Sequence, residues 1–521
     1  MTAIDIRRAG ASVGAAWPLA LSGALAAAAA IAAAELFAGL VAGAPSLVTA
    51  MGALVISLQP PGAKELAVTL FGLNDKLALN LAVVIGALLI AAATGVLAAR
   101  RFTLAAGVFV AFGVVAAVAS IRQPLTPLPL AIVNAGLATA VGLAVLRALL
   151  GLVPDGPPAA RSSMPDWSKR RFIIATAGTA GGVLIAGGIG RALVQARHVE
   201  GVVSTSRLPP ALEPVPALTS DRSIDVNGIT PLVVPNDRFY RIDTALLVPQ
   251  VDAETWRLSV TGMVDEPLEF AYDDLLSLPL VEQYVTIACV SNRVGGNLVG
   301  NTLWTGVRLR EVLEMAGVQA GASQIIGRSV DGFTAGFPTE WALAPEREAM
   351  IAVGMNREPL PADHGFPARL IVPGLFGYVS ATKWLSSIEL TTREAVDGYW
   401  VPLGWAKDAP ILTQSRIDVP DSGATLAPGE VQVAGVAWAP DRGVERVEVR
   451  IDDGDWQLAR MSRPISKATW VQWAFPWTAA VGSHTIEVRA TDGNGDVQTD
   501  EVTRPDPDGA RGHHRISVTV G

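Results

Sequence analysis

The chain begins with long apolar stretches and ends with short segments in which apolar and polar residues alternate. Five stretches carry almost no charge: 13–43, 77–99, 102–121, 125–146 and 172–190. Each is close to or above the about 20 apolar residues that a helix needs to cross a bilayer. We therefore predict a helical membrane region of about five spans over residues 1–190. The shorter run 45–59 is interpreted as re-entrant or interfacial, with a sixth span as the alternative.

The patterns beyond residue 190 predict soluble domains. Residues 191–235 are rich in Pro and Ser and have little periodicity, which is typical of a linker and an arm. Residues 236–407 mix strand-like alternation, as in 256–264, with near-helical spacing of apolar residues, as in 306–318. This mixture predicts an α+β domain. Regular alternation between turn signals in 408–521 predicts an immunoglobulin-like β-sandwich.

The distribution of charge predicts which side of a membrane each part occupies. Lys and Arg are concentrated at three places, which are Arg7 and Arg8, Arg100 and Arg101, and the segment 147–171, whereas the alternate loops carry few. By the positive-inside rule the N-terminus lies in the cytoplasm and everything after residue 190 lies outside. We expect a multi-pass protein of the cell membrane with an extracytoplasmic soluble half. Acidic residues exceed basic ones in that half and no basic face is clustered, which excludes a nucleic-acid partner.

Three features of the apolar half suggest further roles. Glu35 lies within the first span, where a carboxylate is costly; we expect a quinone or proton site, or a solvated position near a helix end. Gly39 and Gly43 form a GxxxG pair that could pack helices. The segment 168–173 resembles a twin-arginine export signal, and a plain stop-transfer charge cluster is the alternative.

The counts of cysteine and histidine limit the cofactors. The chain contains one cysteine, Cys289, and its five histidines all lie beyond residue 190. A disulfide within the chain, a Cys-rich zinc site and a Cys-ligated iron–sulfur cluster are therefore excluded, as is a haem held by paired histidines in the apolar half.

Cys289 follows an apolar, strand-like approach and precedes a glycine-rich loop. Gly295, Gly296 and Gly300 would allow the backbone to approach a bulky ligand closely. A thiolate suits a soft metal, and one is sufficient if an organic cofactor supplies the remaining sulfur ligands. The alternative is a buried structural cysteine.

Several ordered motifs resemble those of the sulfite oxidase family of molybdenum-cofactor enzymes. These are NDRFY at 236–240, Cys-x-Ser-Asn at 289–292, SVDGF at 329–333 and MNREPLPADHGFPARLIVPGLFGYVSATKW at 355–384. The resemblance covers about residues 230–521, and the all-β tail resembles that family's dimerisation domain, which implies a homodimer. The five-span front resembles an actinobacterial membrane-bound branch of the family.

The resemblance implies a set of site residues for molybdenum with molybdopterin. Cys289 would be the protein ligand of the metal, and the pterin dithiolene would provide two more sulfurs. The positions that match cofactor-binding elements of the family are Phe239, Tyr240, Arg241, Asp331, His364, Arg369, Thr382 and Lys383.

The candidate catalytic set beside Cys289 departs from the family pattern. Arg241 stands one position early, and Arg293 is followed by Val294 where a second arginine is expected. Tyr399 is near an expected active-site tyrosine without aligning to it, and Arg442 corresponds to an arginine of the dimerisation domain with a one-residue gap. Because sulfite is a small dianion that needs several cations, we expect a weakened sulfite pocket.

Together these features predict a membrane-anchored, extracytoplasmic molybdopterin-dependent oxidoreductase that transfers two electrons with an oxygen atom on a small substrate. Without haem or iron–sulfur cluster in the chain, its redox partner is expected to be a separate electron carrier or a quinone. A sulfoxide or N-oxide reductase is the alternative within the family. A cell-surface interaction protein with a degenerate cofactor site is the alternative from another class.

Overall fold

A computed structural model describes residues 16–58, 75–123, 126–153, 167–200 and 208–521. The chain divides into two compact units, one of residues 1–201 with 245–248 and the other of 202–244 with 249–521. Arg7, Arg8 and Arg161, which belong to the predicted charge pattern, lie outside the described residues.

The first unit is helical. Its helices are Trp17–Leu40, Leu47–Leu58, Asp75–Ala98, Phe102–Ile121, Leu128–Leu150 and Trp167–Glu200. Five of them are long and apolar enough to cross a membrane, which confirms the predicted helical region with five candidate spans. The helix Leu47–Leu58 has 12 residues and, at about 1.5 Å per residue, is too short to cross a bilayer. The sixth-span alternative for this run is therefore wrong.

Small residues bring the first and last long helices together. A Cβ on Gly190 would lie 2.5 Å from the Glu35 carbonyl carbon, and one on Gly39 would lie 2.7 Å from Gly190 O. Such close backbone approach is the usual role of glycine between membrane helices. Of the predicted GxxxG pair only Gly39 packs in this way, because the helix ends at Leu40 and Gly43 lies beyond it with a φ of 77°.

Glu35 is buried within the helical unit. Its Oε1 accepts a hydrogen bond of 2.7 Å from Ser46 Oγ, and its Oε2 lies 3.9 Å from Arg191 Nη1. The expectation of a solvated carboxylate near a helix end is therefore wrong, since the side chain is held between neighbouring segments.

The α+β part of the second unit contains two sheets, one in the order β2-β1-β10-β5-β6 and the other in the order β3-β4-β7-β8 with β9 paired to β7. Its helices are Tyr272–Ser277, Leu309–Ala316, Thr339–Leu343 and Gly377–Ser380. The strands are β1 (Arg257–Gly262), β2 (Leu268–Ala271), β3 (Leu280–Ala288), β4 (Val299–Arg308), β5 (Gln324–Ser329), β6 (Thr334–Pro338), β7 (Met350–Met355), β8 (Glu358–Pro359), β9 (Arg369–Ile371) and β10 (Leu385–Thr391).

The helix predicted over 306–318 is shorter than expected. Residues 306–308 belong to β4, where they pair with β7. The helix ends before Gly317, whose φ of 66° stops helical hydrogen bonding.

The C-terminal part is a β-sandwich of two sheets, ordered β11-β13-β17-β16 and β12-β19-β18-β14-β15. Its core is built from alternate residues of both sheets, among them Val433, Val447, Trp473 and Ile486. The strands are β11 (Gln414–Val419), β12 (Thr425–Leu426), β13 (Gly429–Trp438), β14 (Val444–Ile451), β15 (Gln457–Leu458), β16 (Arg460–Met461), β17 (Val471–Ala479), β18 (Gly482–Asp492) and β19 (His514–Val520). The predicted immunoglobulin-like class is confirmed.

The segment predicted as linker and arm has two different structures. Residues 191–200 continue the last long helix, so the predicted start of the linker at 191 differs from the structure. From residue 208 onward the backbone bonds to the sheet, as Leu212 N does to Leu280 O (2.7 Å) and Val234 N does to Asn301 O (2.8 Å). Single tertiary bonds of this kind leave no periodic signal in a sequence.

Gly190→Ala should destabilise the helical unit, because the added methyl group would overlap the backbone of Glu35 and Leu36. Overpacking of this kind costs about 1–3 kcal/mol. The midpoint of thermal unfolding in detergent should fall for Gly190→Ala. Gly188→Ala is the matched control, because a Cβ there would have no neighbour within 4 Å. Equal midpoints for the two variants would contradict this packing.

Candidate functional site

Cys289 lies directly after β3 and is buried. The β3–β4 hairpin pairs Ala288 with Val299, and Cys289 N donates to Leu298 O at 2.9 Å. The thiol therefore stands at the point where a regular hairpin opens into the loop 289–298, as the apolar approach predicted.

The glycines of this loop are close to protein groups. A Cβ on Gly295 would overlap the His514 ring, and one on Gly300 would lie 2.7 Å from the Phe239 ring. A Cβ on Gly296 would lie 2.5 Å from Asn292 Oδ1. The expectation that these glycines admit a bulky ligand is therefore wrong at these three positions, since protein atoms occupy the space.

An aromatic cluster covers the end of β3. Phe239 stacks on Tyr240, with ring centroids 5.2 Å apart, and meets Trp304 and His364 edge-on at 5.9 and 5.6 Å. The Tyr240 hydroxyl lies near Gly377. Burial, followed by the nearby Cys289 thiolate, raises the pKa of Tyr240. Tyr240 and Cys289 therefore lie close enough to interact electrostatically.

His364 is buried and neutral. Its Nε2 donates to Asn236 O at 2.9 Å, which assigns the proton to that nitrogen. Burial, together with the neighbouring cations Arg369 and Lys383, lowers the pKa of His364 to about 4, although the hydrogen bond to Asn236 opposes the effect.

Arg369 is a buried cation bonded to backbone oxygens. Its Nη1 donates to His364 O at 3.0 Å and its Nη2 to Ala381 O at 3.5 Å. The guanidinium carbon lies 4.9 Å from the Trp304 ring centroid. Burial lowers the pKa of Arg369 to about 10, and its Nε has no hydrogen-bond partner among the residues that the structure describes.

Lys383 and Arg241 share one carboxylate. Lys383 Nζ lies 2.8 Å and Arg241 Nε 3.0 Å from Asp243 Oδ2. Lys383 Nζ also donates to Asp363 O, and Arg241 Nη1 lies 3.3 Å from Asp363 Oδ1. Burial lowers the pKa of Lys383 to about 8, although Asp243 opposes the effect.

The turn with Asp331 joins this cluster through the backbone. Val330 N donates to Trp384 O at 2.9 Å, while the Asp331 carboxylate accepts a bond from Phe333 N within its own turn. Tyr399 lies over this turn, with its ring 5.8 Å from that of Phe333. Thr382 Oγ1 donates to Gly327 O at 3.4 Å.

Two predicted arginines are placed differently. Arg442 donates to Asp492 Oδ2 (2.7 Å), Ile411 O and Thr413 Oγ1 (both 3.1 Å). Its hydrogen bonds in the described part of the chain thus tie it to the C-terminal domain. Arg293 is exposed on the loop after Cys289. The structure therefore connects Phe239, Tyr240, Arg241, His364, Arg369 and Lys383 into one cluster near Cys289 and leaves Arg442 outside it.

Sequence reasoning missed Asp243 and Trp304. Asp243 stands two residues after Arg241, and its carboxylate could have been noted as a partner for the predicted cations. Trp304 lies within the apolar strand β4, where nothing in the sequence distinguishes it from a core residue. Only the fold brings it beneath Arg369.

The residues present fit an anionic, sulfur-bearing cofactor. Arg369 is 4% exposed with an unbonded Nε and no ion pair among the described residues, which suits an anionic phosphate group. No group of three or more His, Cys, Asp or Glu in the described ranges could hold a metal ion. A metal at Cys289 would therefore take its remaining ligands from the cofactor and from solvent or substrate.

Comparison with known proteins agrees with this assignment. Residues 245–400 match the oxidoreductase molybdopterin binding domain, and residues 414–488 match a bacterial Ig domain. Mitochondrial sulfite oxidase of Homo sapiens is 31% identical over 353 residues, covering 59% of this chain and 63% of the relative. Sulfite oxidase of Arabidopsis thaliana is 28% identical over 333 residues, covering 53% and 84%.

A solved structure supports the fold. The sulfane dehydrogenase SoxCD from Paracoccus pantotrophus matches with a TM-score of 0.50 and 22% identity, covering 55% of this chain and 81% of that chain. The second unit of this chain contains a molybdopterin-binding oxidoreductase domain followed by an immunoglobulin-like domain. These matches support a sulfite oxidase family molybdopterin oxidoreductase.

Proposed function

We propose that this chain is a membrane-anchored, extracytoplasmic molybdopterin-dependent oxidoreductase that transfers an oxygen atom and two electrons on a small substrate. The observation that carries the proposal is the lone buried thiol of Cys289 near a buried cationic and aromatic cluster. Matches to sulfite oxidases support this class, although the chain spans 63% of the human enzyme's length.

The oxidative half-reaction would convert substrate and water into oxygenated product, two protons and two electrons. The bound molybdenum would supply the oxygen-atom transfer chemistry. Cys289 would hold the metal, while Arg369 would bind the anionic part of the pterin by a charge-assisted hydrogen bond. Lys383, which shares Asp243 with Arg241, would add a second positive charge beside it. Tyr240 keeps its proton near neutral pH, as an ordinary tyrosine does, and burial raises its pKa further. A separate electron carrier or a quinone would accept the two electrons.

The pairing of two predicted catalytic arginines with carboxylates favours a weak sulfite pocket. Arg241 is held by Asp243 and Asp363, and Arg442, which lies outside the cluster, is held by Asp492. Neither guanidinium is therefore free of carboxylates, as a dianion would require. This engagement favours a less charged substrate, so reduction of a sulfoxide or N-oxide is the second candidate function.

The membrane placement rests on the five long apolar helices and on the Lys and Arg asymmetry of the sequence. A twin-arginine-like segment at 168–173 agrees with export of the soluble half together with its cofactor. A homodimer formed through the C-terminal domain is part of the proposal by resemblance.

Cys289→Ser should abolish turnover while leaving the fold intact, because no other thiolate is available to the metal. The purified full-length protein should contain about one molybdenum per chain and turn over with artificial electron donors or acceptors. Ser291→Ala, exposed two residues further on, is the matched control and should retain activity. Wild-type turnover by Cys289→Ser would disprove the assignment.

The unmodified protein should oxidise sulfite with a much higher KM than a dedicated sulfite oxidase. Loss of one charged contact costs about 2–5 kcal/mol, which corresponds to roughly 30-fold to several thousand-fold in affinity. Val294→Arg should lower the KM for sulfite, and Val294→Leu is the uncharged control. A micromolar KM in the unmodified protein would contradict the weakened pocket.

Protease added to spheroplasts should remove the soluble half, because five spans with a cytoplasmic N-terminus would leave it outside. A cytoplasmic marker must stay intact in the same sample. Full protection of the soluble half under those conditions would overturn the proposed orientation, whereas the enzymatic assignment would be unaffected.

A further inference from the structure

The loop after Cys289 has an internal set of hydrogen bonds. Leu298 N donates to Asn292 Oδ1 at 2.9 Å, and Gly296 N donates to Arg293 O at 2.8 Å. With the bond from Cys289 N to Leu298 O, these contacts define the shape of the loop. They do not by themselves fix how the loop sits on the rest of the molecule.

The C-terminal domain supplies an arginine that binds this loop. Arg416, buried on β11, donates from Nη1 to Gly296 O at 2.9 Å. Its Nη2 donates to Thr230 Oγ1 at 2.7 Å, and its Nε donates to Asp418 Oδ1 at 2.6 Å. Thr230 N in turn donates to Asp418 Oδ2. The guanidinium is therefore neutralised by Asp418 and held in one orientation, which is the condition under which a buried charge stabilises a contact.

A histidine of the same domain packs against the neighbouring glycine. Gly295 has a φ of 74°, and any Cβ there would overlap the His514 ring. The ring is oriented because its Nδ1 accepts a bond of 3.0 Å from Ile417 N. Burial, followed by the nearby Arg416 charge, lowers the pKa of His514, in keeping with an unprotonated Nδ1.

The domain also holds the strand that precedes Cys289. Thr286 N donates to Ala468 O at 2.9 Å, and Trp470 N donates to Thr286 Oγ1 at 2.8 Å. The C-terminal domain thus contacts the chain three residues before the thiol and again at Gly295 and Gly296 after it. Both contacts are formed within a single chain.

We propose that Arg416 and His514 are positioning residues for Cys289, and that the immunoglobulin-like domain sets the position of the thiol by holding the loop 289–298. This role differs from the dimerisation that the resemblance implies. The inference rests on the proposed function only in taking Cys289 as the metal ligand. The position of the thiol itself can be measured without the metal.

Cys289 is the only cysteine, so alkylation of the full-length protein reports on this thiol alone. Full-length protein, purified in detergent from a host that cannot make molybdopterin, is treated with iodoacetamide, and mass spectrometry follows the reaction. The alkylation rate is measured at increasing pH until it reaches a plateau, where the thiol is fully deprotonated. The plateau rate therefore reports how accessible the thiolate is and no longer depends on the fraction of thiolate. Arg416→Met and His514→Ala should raise this plateau rate. For Arg416→Met the rate should increase about tenfold or more, because the free energy of a charge-assisted hydrogen bond corresponds to a change of about that size.

Arg347→Met is the matched control. Arg347 also crosses to the C-terminal domain, where its Nη1 lies 2.8 Å from Asp441 Oδ2, but Asp441 has no part in holding the loop. Its plateau rate should equal that of the wild type. Equal increases in Arg347→Met and Arg416→Met would mean general loosening between the domains and would overturn the positioning role, as would wild-type rates in both Arg416→Met and His514→Ala.

Arg416→Lys tests the inference if Arg416→Met does not fold. It retains the cation beside Asp418, but a single ammonium cannot reproduce the three-way contact of the guanidinium, so its rate should lie between wild type and the larger increase. In the molybdenum-loaded protein, the Mo(V) electron paramagnetic resonance signal should shift in the Arg416 variants and stay unchanged in Arg347→Met. A wild-type alkylation rate in Arg416→Lys together with an unshifted signal would reject the proposal. If the wild-type protein bound no molybdenum, only the proposed function would fail, because the alkylation result is independent of the metal.

Discussion

Arg369 is held out of water, bonded to two backbone carbonyls and stacked over Trp304. Burial of an unpaired cation is expensive, and the depressed pKa of this guanidinium expresses that cost. The rest of the site follows from it: His364 is neutral beside the cation, and Asp243 is shared by Lys383 and Arg241. Among the described residues, Arg241 and Lys383 are paired with a carboxylate and Arg369 is not, and such an arrangement is suited to receive an anionic group.

The thiol is placed by two domains rather than by one. β3 and β4 bring Cys289 to the edge of a sheet, and the C-terminal sandwich contacts the chain on both sides of it. The closely packed core of a folded domain resists continuous deformation and changes only between discrete arrangements. A thiol in a glycine-rich loop therefore gains a defined position from a rigid β-sandwich. In this chain the immunoglobulin-like domain contributes to the site through Arg416 and His514, whereas Arg442 serves the domain's own structure through Asp492.

The helical unit depends on the close packing of its first and last long helices. Gly39 and Gly190 let two long helices touch, and this packing encloses Glu35 with Ser46 and Arg191. A carboxylate enclosed in this way has polar partners within the protein, and without them its burial among apolar helices would be costly.

The sequence alone determined the elements whose signals are local. Apolar length predicted the candidate spans, alternation predicted the C-terminal sandwich, and ordered motifs identified Cys289, Phe239, Tyr240, His364, Arg369 and Lys383 as candidate site residues. The tertiary structure decided which charges meet. Asp243 neutralises Arg241 and Lys383, Asp492 binds Arg442, and His514 fills the space beside Gly295. Except for Arg241 and Asp243, which are two residues apart, these pairings join residues far apart in the chain or on different domains, and their energies depend on burial and distance. Neither burial nor distance is encoded in residue type or spacing. The residues of the candidate site could therefore be predicted from the sequence, whereas the pairing of their charges required the fold.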